Sequence, residues 1–107
     1  MERFGIVIKV KREKLEEYKS LHANPWPEVV TTLRDHGLKN FSIYHKDEYL
    51  FGYFEYYGSD LESDLKKMNE IPIYSKWLSL TDPCQEPLAS RHPGEWWASM
   101  EEIYHHD

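Results

Sequence analysis

Asn40-Phe41-Ser42-Ile43-Tyr44-His45 and Tyr49-Leu50-Phe51-Gly52-Tyr53-Phe54-Glu55-Tyr56-Tyr57, joined by Lys46-Asp47-Glu48, decide how this chain folds. Both runs are dense in aromatic residues, which fit a pleated, half-buried surface. The polar link is short enough to make them an antiparallel hairpin. In the first run Phe41, Ile43 and His45 share one face and Ser42 and Tyr44 the other, because side chains alternate along a strand.

Working outward toward the N-terminus, Gly37 is a C-terminal stop for a helix that begins at Pro27 and runs through Val30 and Leu33 to about His36. Asn24-Pro25-Trp26-Pro27 separates it from a first helical stretch, Lys11 to Ala23. There Leu15, Tyr18 and His22 fall on one face. Phe4 to Val10 reads as a buried strand. Toward the C-terminus, Gly58-Ser59-Asp60 ends the hairpin and starts a helix carrying Leu61, Leu65 and Met68, which Ile71-Pro72 ends. Tyr74 to Leu80 is a short helical segment. Thr81 to Gly94, with Pro83, Pro87 and Pro93, reads as an extended loop, and Trp96 to Tyr104 as a last strand.

The order β-α-(α)-β-β-α-β is the split βαβ of a ferredoxin-like α+β fold: one antiparallel sheet with helices on one face, in a single domain over residues 1–107. The other sheet face needs a cover, and Phe4, Phe41, Phe54 and Tyr56 are expected on it. A homodimer that stacks two such faces into an α+β barrel follows.

A net charge of -6 and no dense basic face argue against nucleic acid. No apolar run reaches the ~20 residues of a membrane span. The N-terminus lacks the apolar core of a secretory signal, and the single cysteine, Cys84, cannot close an internal disulfide. The cytoplasm is the expected compartment. A neutral small molecule suits the charge best. Four Trp, eight Tyr and four Phe offer flat apolar faces with polar tips, which suit a sugar as well as they suit a core or a dimer interface.

The strongest local signal is Tyr18-Lys19-Ser20-Leu21-His22-Ala23-Asn24-Pro25-Trp26-Pro27-Glu28. It sets a phenol and an imidazole one helical turn apart, beside a proline-fixed corner. Histidine titrates near pH ~6.5 and can both give and take a proton. Two readings stand: a proton-transfer group, or a half-buried histidine satisfying a backbone carbonyl. Glu101 and Glu102 are candidate partners if the last strand turns one of them inward. His105-His106 make no metal site, since neighbours on a strand point to opposite faces. Cys84 has no adjacent base, and no glycine-rich phosphate loop or nucleophile elbow is present.

These residues resemble the L-rhamnose mutarotase family over nearly the whole chain. The likeness rests on Gly5 to Val10, on the Tyr18-x-x-x-His22-x-x-Pro25-Trp26-Pro27-Glu28 motif, on His36-Gly37 and Asn40 to Tyr44, and on Leu50 to Glu55. It continues through Trp77-x-x-Leu80-Thr81-Asp82-Pro83-Cys84-Gln85 and Trp96-Trp97 to His105. The resemblance implies a dimeric ferredoxin-like α+β barrel. It implies an aldose 1-epimerase type isomerase that exchanges the α and β anomers of L-rhamnose, or a related 6-deoxy aldose, without any cofactor or metal. It puts the proton donor at His22 and substrate contacts at Tyr18, Trp26, Phe41, Trp77 and Leu78. Phe41 stands where the family has a tyrosine, and Leu78 where it has a second tryptophan. Two other classes fit the same chain: a non-catalytic sugar-binding dimer and a cofactor-independent oxygenase on the same fold.

Overall fold

The computed structural model describes residues 1–107. Strand β1 (Glu2–Val10) leads through a 3-10 turn (Arg12–Lys14) into α1 (Leu15–Ala23) and α2 (Pro27–Asp35). The hairpin β2 (Leu38–Lys46) and β3 (Tyr49–Tyr56) follows, then α3 (Leu61–Asn69) and α4 (Pro72–Thr81). A second 3-10 turn (Asp82–Cys84) and two short strands, β4 (Gln85–Glu86) and β5 (Ala98–Met100), complete the fold. The sheet order is β2-β3-β1-β4, with β5 sharing the β4 edge of β1, and every pairing is antiparallel. This is the ferredoxin-like α+β arrangement. No helix is long and apolar enough to cross a membrane.

Local chemistry explains the element ends. Gly37 takes a φ of 86° just past α2, the left-handed conformation that closes a helix. Asp60 caps α3, its carboxylate accepting from the Ser63 N–H at 3.1 Å. Pro72 opens α4 at its first turn rather than only ending α3, since a proline there lacks an N–H that the helix would leave unpaired anyway. The hairpin turns on Asp47 at φ 54°. In β2 a bulge between Lys39 and Ser42 holds Asn40 at φ 51°. The extra residue keeps Leu38 and Phe41 on one face although their spacing is odd.

That face looks toward the helices. Ile8, Val10 and Leu50 pack there with Tyr18 and Cys84, and Leu38, Phe54 and Tyr56 with Met68. Phe41, Phe54 and Phe4 stack across three strands, with ring centroids 5.4 and 5.1 Å apart. The sequence expectation for the open face is therefore corrected. Phe54 and Tyr56 are core residues, and Phe4 and Phe41 pack against them. The open face carries instead the row Tyr44–Phe51–Val7–Ala98, in register across β2, β3, β1 and β5.

The C-terminal region departs from expectation in two further ways. The proline-rich loop contains β4, whose Gln85 and Glu86 pair with Val10 and Lys9. The last strand is three residues, not nine, and residues 101–107 run on exposed. Glu102 is tied to Arg3 by a two-point ion pair at 3.0 and 3.2 Å.

Candidate active site

A cavity of about 1250 Å³ opens between the inner sheet face and the helices. Its strand side is mostly apolar, formed by Ile6, Phe41, Ile43 and Phe54, with His45 of β2 and Ser99 of β5 as the polar exceptions. The helix and loop side gathers nearly all the polar chemistry: Tyr18 and His22 from α1, Asp82 and Gln85 after α4, and Trp96 before β5. Gly52 makes the strand side low. A Cβ there would lie 2.8 Å from the Ile6 side chain and 3.4 Å from the Trp97 ring, so glycine lets both lie flat over β3.

The structure shows His22 half-buried and bound to a backbone carbonyl, as one reading of its sequence signal had it. Its Nδ1–H donates to the Tyr18 carbonyl one turn back, at 2.8 Å. A hydrogen on Nδ1 leaves the lone pair of the neutral ring on Nε2. That nitrogen has no partner in the chain, and the residue lines the cavity. The ring is held between Tyr18, with centroids 4.2 Å apart, and the edge of Trp77 at 5.4 Å. Burial among these rings lowers the His22 pKa, partly opposed by the Tyr18 carbonyl, so the neutral base is favoured.

Tyr18 is held by a chain of directed hydrogen bonds. The Trp96 indole N–H, which can only donate, reaches Gln85 Oε1 at 2.8 Å. This fixes the amide, so Gln85 Nε2 donates to the Tyr18 hydroxyl oxygen at 2.9 Å. The phenol hydrogen is then free to donate into the cavity. Burial raises the Tyr18 pKa far above the ordinary phenol value, against the Gln85 bond, so the hydrogen stays on. Tyr74, buried nearby, is likewise pushed up to about 12.

Of the residues singled out in the sequence, the structure brings Tyr18, His22, Phe41, Trp77 and Leu78 to one cavity. Trp26 is not on its wall. It braces Trp77 edge-on from behind, at 5.2 Å. Glu101 and Glu102 do not line the cavity, since β5 ends at Met100 and Glu102 turns to Arg3. Cys84 is fully buried, and burial, with Glu17 beside the sulfur, raises its pKa, which keeps it a thiol. Gln85, Asp82 and Trp96 stood in recognisable motifs, but nothing local marked them as site residues. Their partners lie far away in sequence, Gln85 and Tyr18 being 67 positions apart.

Fold and cavity together define a class: a ferredoxin-like α+β protein whose helix-facing cavity sets a neutral imidazole and a phenol donor among aromatic walls. Comparison with known proteins narrows this. The family model described as L-rhamnose mutarotase matches residues 3–106. The chain is 32% identical to the L-rhamnose mutarotase of Oceanobacillus iheyensis and 30% identical to that of Lactiplantibacillus plantarum, in each case over 100% of both chains. The crystal structure of an L-rhamnose mutarotase from Formosa agariphila superposes with a TM-score of 0.77 at 21% identity, covering 100% of both chains. The chain belongs to the L-rhamnose mutarotase family.

Proposed function

We propose that this protein interconverts the α and β anomers of L-rhamnose, or of a closely related 6-deoxy aldose, by acid–base catalysed opening and reclosure of the ring. The observation that carries this reading is His22, whose tautomer is set by the Tyr18 carbonyl so that a basic Nε2 is left unpaired on the wall of an aromatic cavity. Opening a hemiacetal requires removal of the anomeric O1 proton and delivery of a proton to ring oxygen O5. Both are proton transfers and call for no electron sink. Nε2 is placed to take the O1 proton, and the Tyr18 hydroxyl to hold a sugar oxygen as a donor.

The apolar strand side supports a 6-deoxy sugar. A C6 methyl group can rest on Phe41, Ile43 and Phe54, whereas a C6 hydroxyl there would lose its hydrogen bonds to water without replacement, at about 1–3 kcal/mol. Phe41 and Leu78 extend this apolar character to two positions where the family carries Tyr and Trp.

The reading includes assembly. The row Tyr44–Phe51–Val7–Ala98, with Met100 beside it, is the open apolar face, and a second copy stacked on it forms a homodimer. Saturation-transfer NMR tests the activity. Enzyme-dependent exchange between the anomers of L-rhamnose is expected, with weaker exchange for L-mannose, which adds the C6 hydroxyl. No exchange above the buffer rate with any pyranose would leave a sugar-binding protein and remove the enzyme.

A further inference from the structure

Ring opening needs two proton-handling groups, and the sequence names one. Three carboxylates line the cavity: Glu62, Asp82 and Glu95. Glu62 stands exposed on the first turn of α3. Glu95 is already engaged, accepting from the His92 N–H at 2.9 Å and the Ser99 N–H at 3.4 Å. Those bonds more than offset the effect of burial and keep it ionised. Asp82 differs from both. It is half-buried, and no hydrogen bond or ion pair within the chain satisfies its carboxylate. It directly follows α4, whose carbonyl end disfavours negative charge.

We propose that Asp82 is the second catalytic group, which protonates the ring oxygen while His22 takes the anomeric proton. This rests on the mutarotase reading above. Asp82 and His22 line the same cavity as Tyr18: the His22 ring lies 4.2 Å from the phenol ring, and the Asp82 charge is near enough to act on that phenol. The two reacting oxygens of the sugar hang on one carbon, so a base and an acid facing one cavity are the arrangement required.

The step balances. The O1–H proton passes to His22 Nε2, and its bonding pair becomes the C1=O1 π bond. The C1–O5 pair leaves with O5, which takes the Asp82 proton. The product is the open aldehyde between an imidazolium and a carboxylate. After rotation about C1–C2, the O5 hydroxyl attacks the other face of C1 and returns its proton to Asp82, while O1 recovers the proton on His22. The site is unchanged, and the anomer is inverted.

Burial lowers His22 and raises Asp82, so in both groups it favours the neutral form, the base and the acid that the step requires. The groups that feel the Asp82 charge are Tyr18 of α1 and Tyr74 of α4, both held neutral by burial, and the cavity wall also carries His45 of β2, Glu62 of α3 and Glu95 before β5. The cavity's lysines, Lys19 and Lys66, make no ion pair with it.

The test is Asp82→Asn, which keeps the shape and cannot supply a proton. Anomer exchange of L-rhamnose, read by saturation-transfer NMR across sugar concentration, should fall at least ~10²-fold in rate with half-saturation changed little. Asp82→Glu should recover part of it. Wild-type exchange should fall on the acid side, as both groups become protonated, and on the alkaline side, as both are lost. Near wild-type exchange in Asp82→Asn, or a raised half-saturation with the rate intact, removes Asp82 from the chemistry. If the Asn variant does not fold, a one-limbed wild-type profile does the same. A wild-type protein that exchanges no pyranose overturns the mutarotase reading itself and Asp82 with it, whereas exchange that survives the substitution overturns Asp82 alone.

Discussion

One sheet carries two aromatic rows, and they have opposite fates. On the inner face Phe41, Phe54 and Phe4 stack ring on ring beneath the helices, with Phe54 only 5% exposed. On the outer face Tyr44, Phe51, Val7 and Ala98 follow each other across the same strands, yet Tyr44 is 68% and Phe51 37% exposed. The residue types are alike, and the difference is what stands above them. Inside, helices α1 and α4 bring hydrogen-bonding groups over the rings and leave a cavity between. Outside, the chain buries only Ala98, at 6% exposed, and leaves the rings of Tyr44 and Phe51 open. The inner row lies beneath the cavity, and the outer row is an open aromatic surface, the one proposed above as the dimer face.

The sharpest way to break this division is His22→Ala. It should lower exchange at least ~10²-fold, the low end for losing a general acid–base group, and leave the solution mass unchanged. A fall in mass alongside would show that the two faces are not independent. Phe51→Asp attacks the other side. A carboxylate in the middle of the outer row should weaken self-association by about 10²-fold, the cost of burying a charge with no partner. Light scattering should then read one chain mass where the parent reads two. A parent that already scatters as one chain would leave the outer row as plain solvent-facing surface.

Two smaller effects sharpen the picture of the inner face. Gln85→Leu removes the bond that directs the Tyr18 phenol and should raise half-saturation about 10-fold, the value of a neutral hydrogen bond of ~1–1.5 kcal/mol. In a Tyr18→Phe background the same change should be nearly silent, because Gln85 acts through that hydroxyl; additive losses would separate the two residues. Phe41→Tyr and Leu78→Trp install on the cavity wall the side chains that the family resemblance implies there. Each should improve rhamnose half-saturation by roughly 2- to 10-fold, and loss of activity in both would mean a pocket shaped for another sugar.

The smallest effect is on stability. Burial holds the folded His22 pKa below its ordinary 6.5. The unfolded chain therefore binds the proton first as pH falls, and stability present above about 6.5 is lost progressively below it. His22→Gln should flatten the slope of melting temperature against pH in that range.

Much of this was legible in the residues. The hairpin, the Gly37 stop and the one-turn spacing of Tyr18 and His22 are local signals, and all three appear as read. Alternation divided β2 correctly into Phe41, Ile43 and His45 against Ser42 and Tyr44. It did not say which set faces the helices, because a period of two is the same from either side. That is why Phe54 and Tyr56 were expected on the open face. β4 is two residues long inside a proline-rich loop, too short for any pattern. Gln85 meets Tyr18 of α1, and Asp82 reaches the same cavity, only once the chain has closed.

The cavity's two sides are attached to different parts of the chain. The polar groups Tyr18, His22 and Asp82 ride on α1 and the turn after α4, while the floor on which a sugar's carbon skeleton would rest comes from β1, β2 and β3. Replacements in the strands can therefore reshape what is admitted without disturbing the reaction it undergoes. Phe41 is one such position, differing from tyrosine by a single oxygen. A scaffold divided in this way can change its substrate repertoire by small inherited steps, each intermediate still a working catalyst.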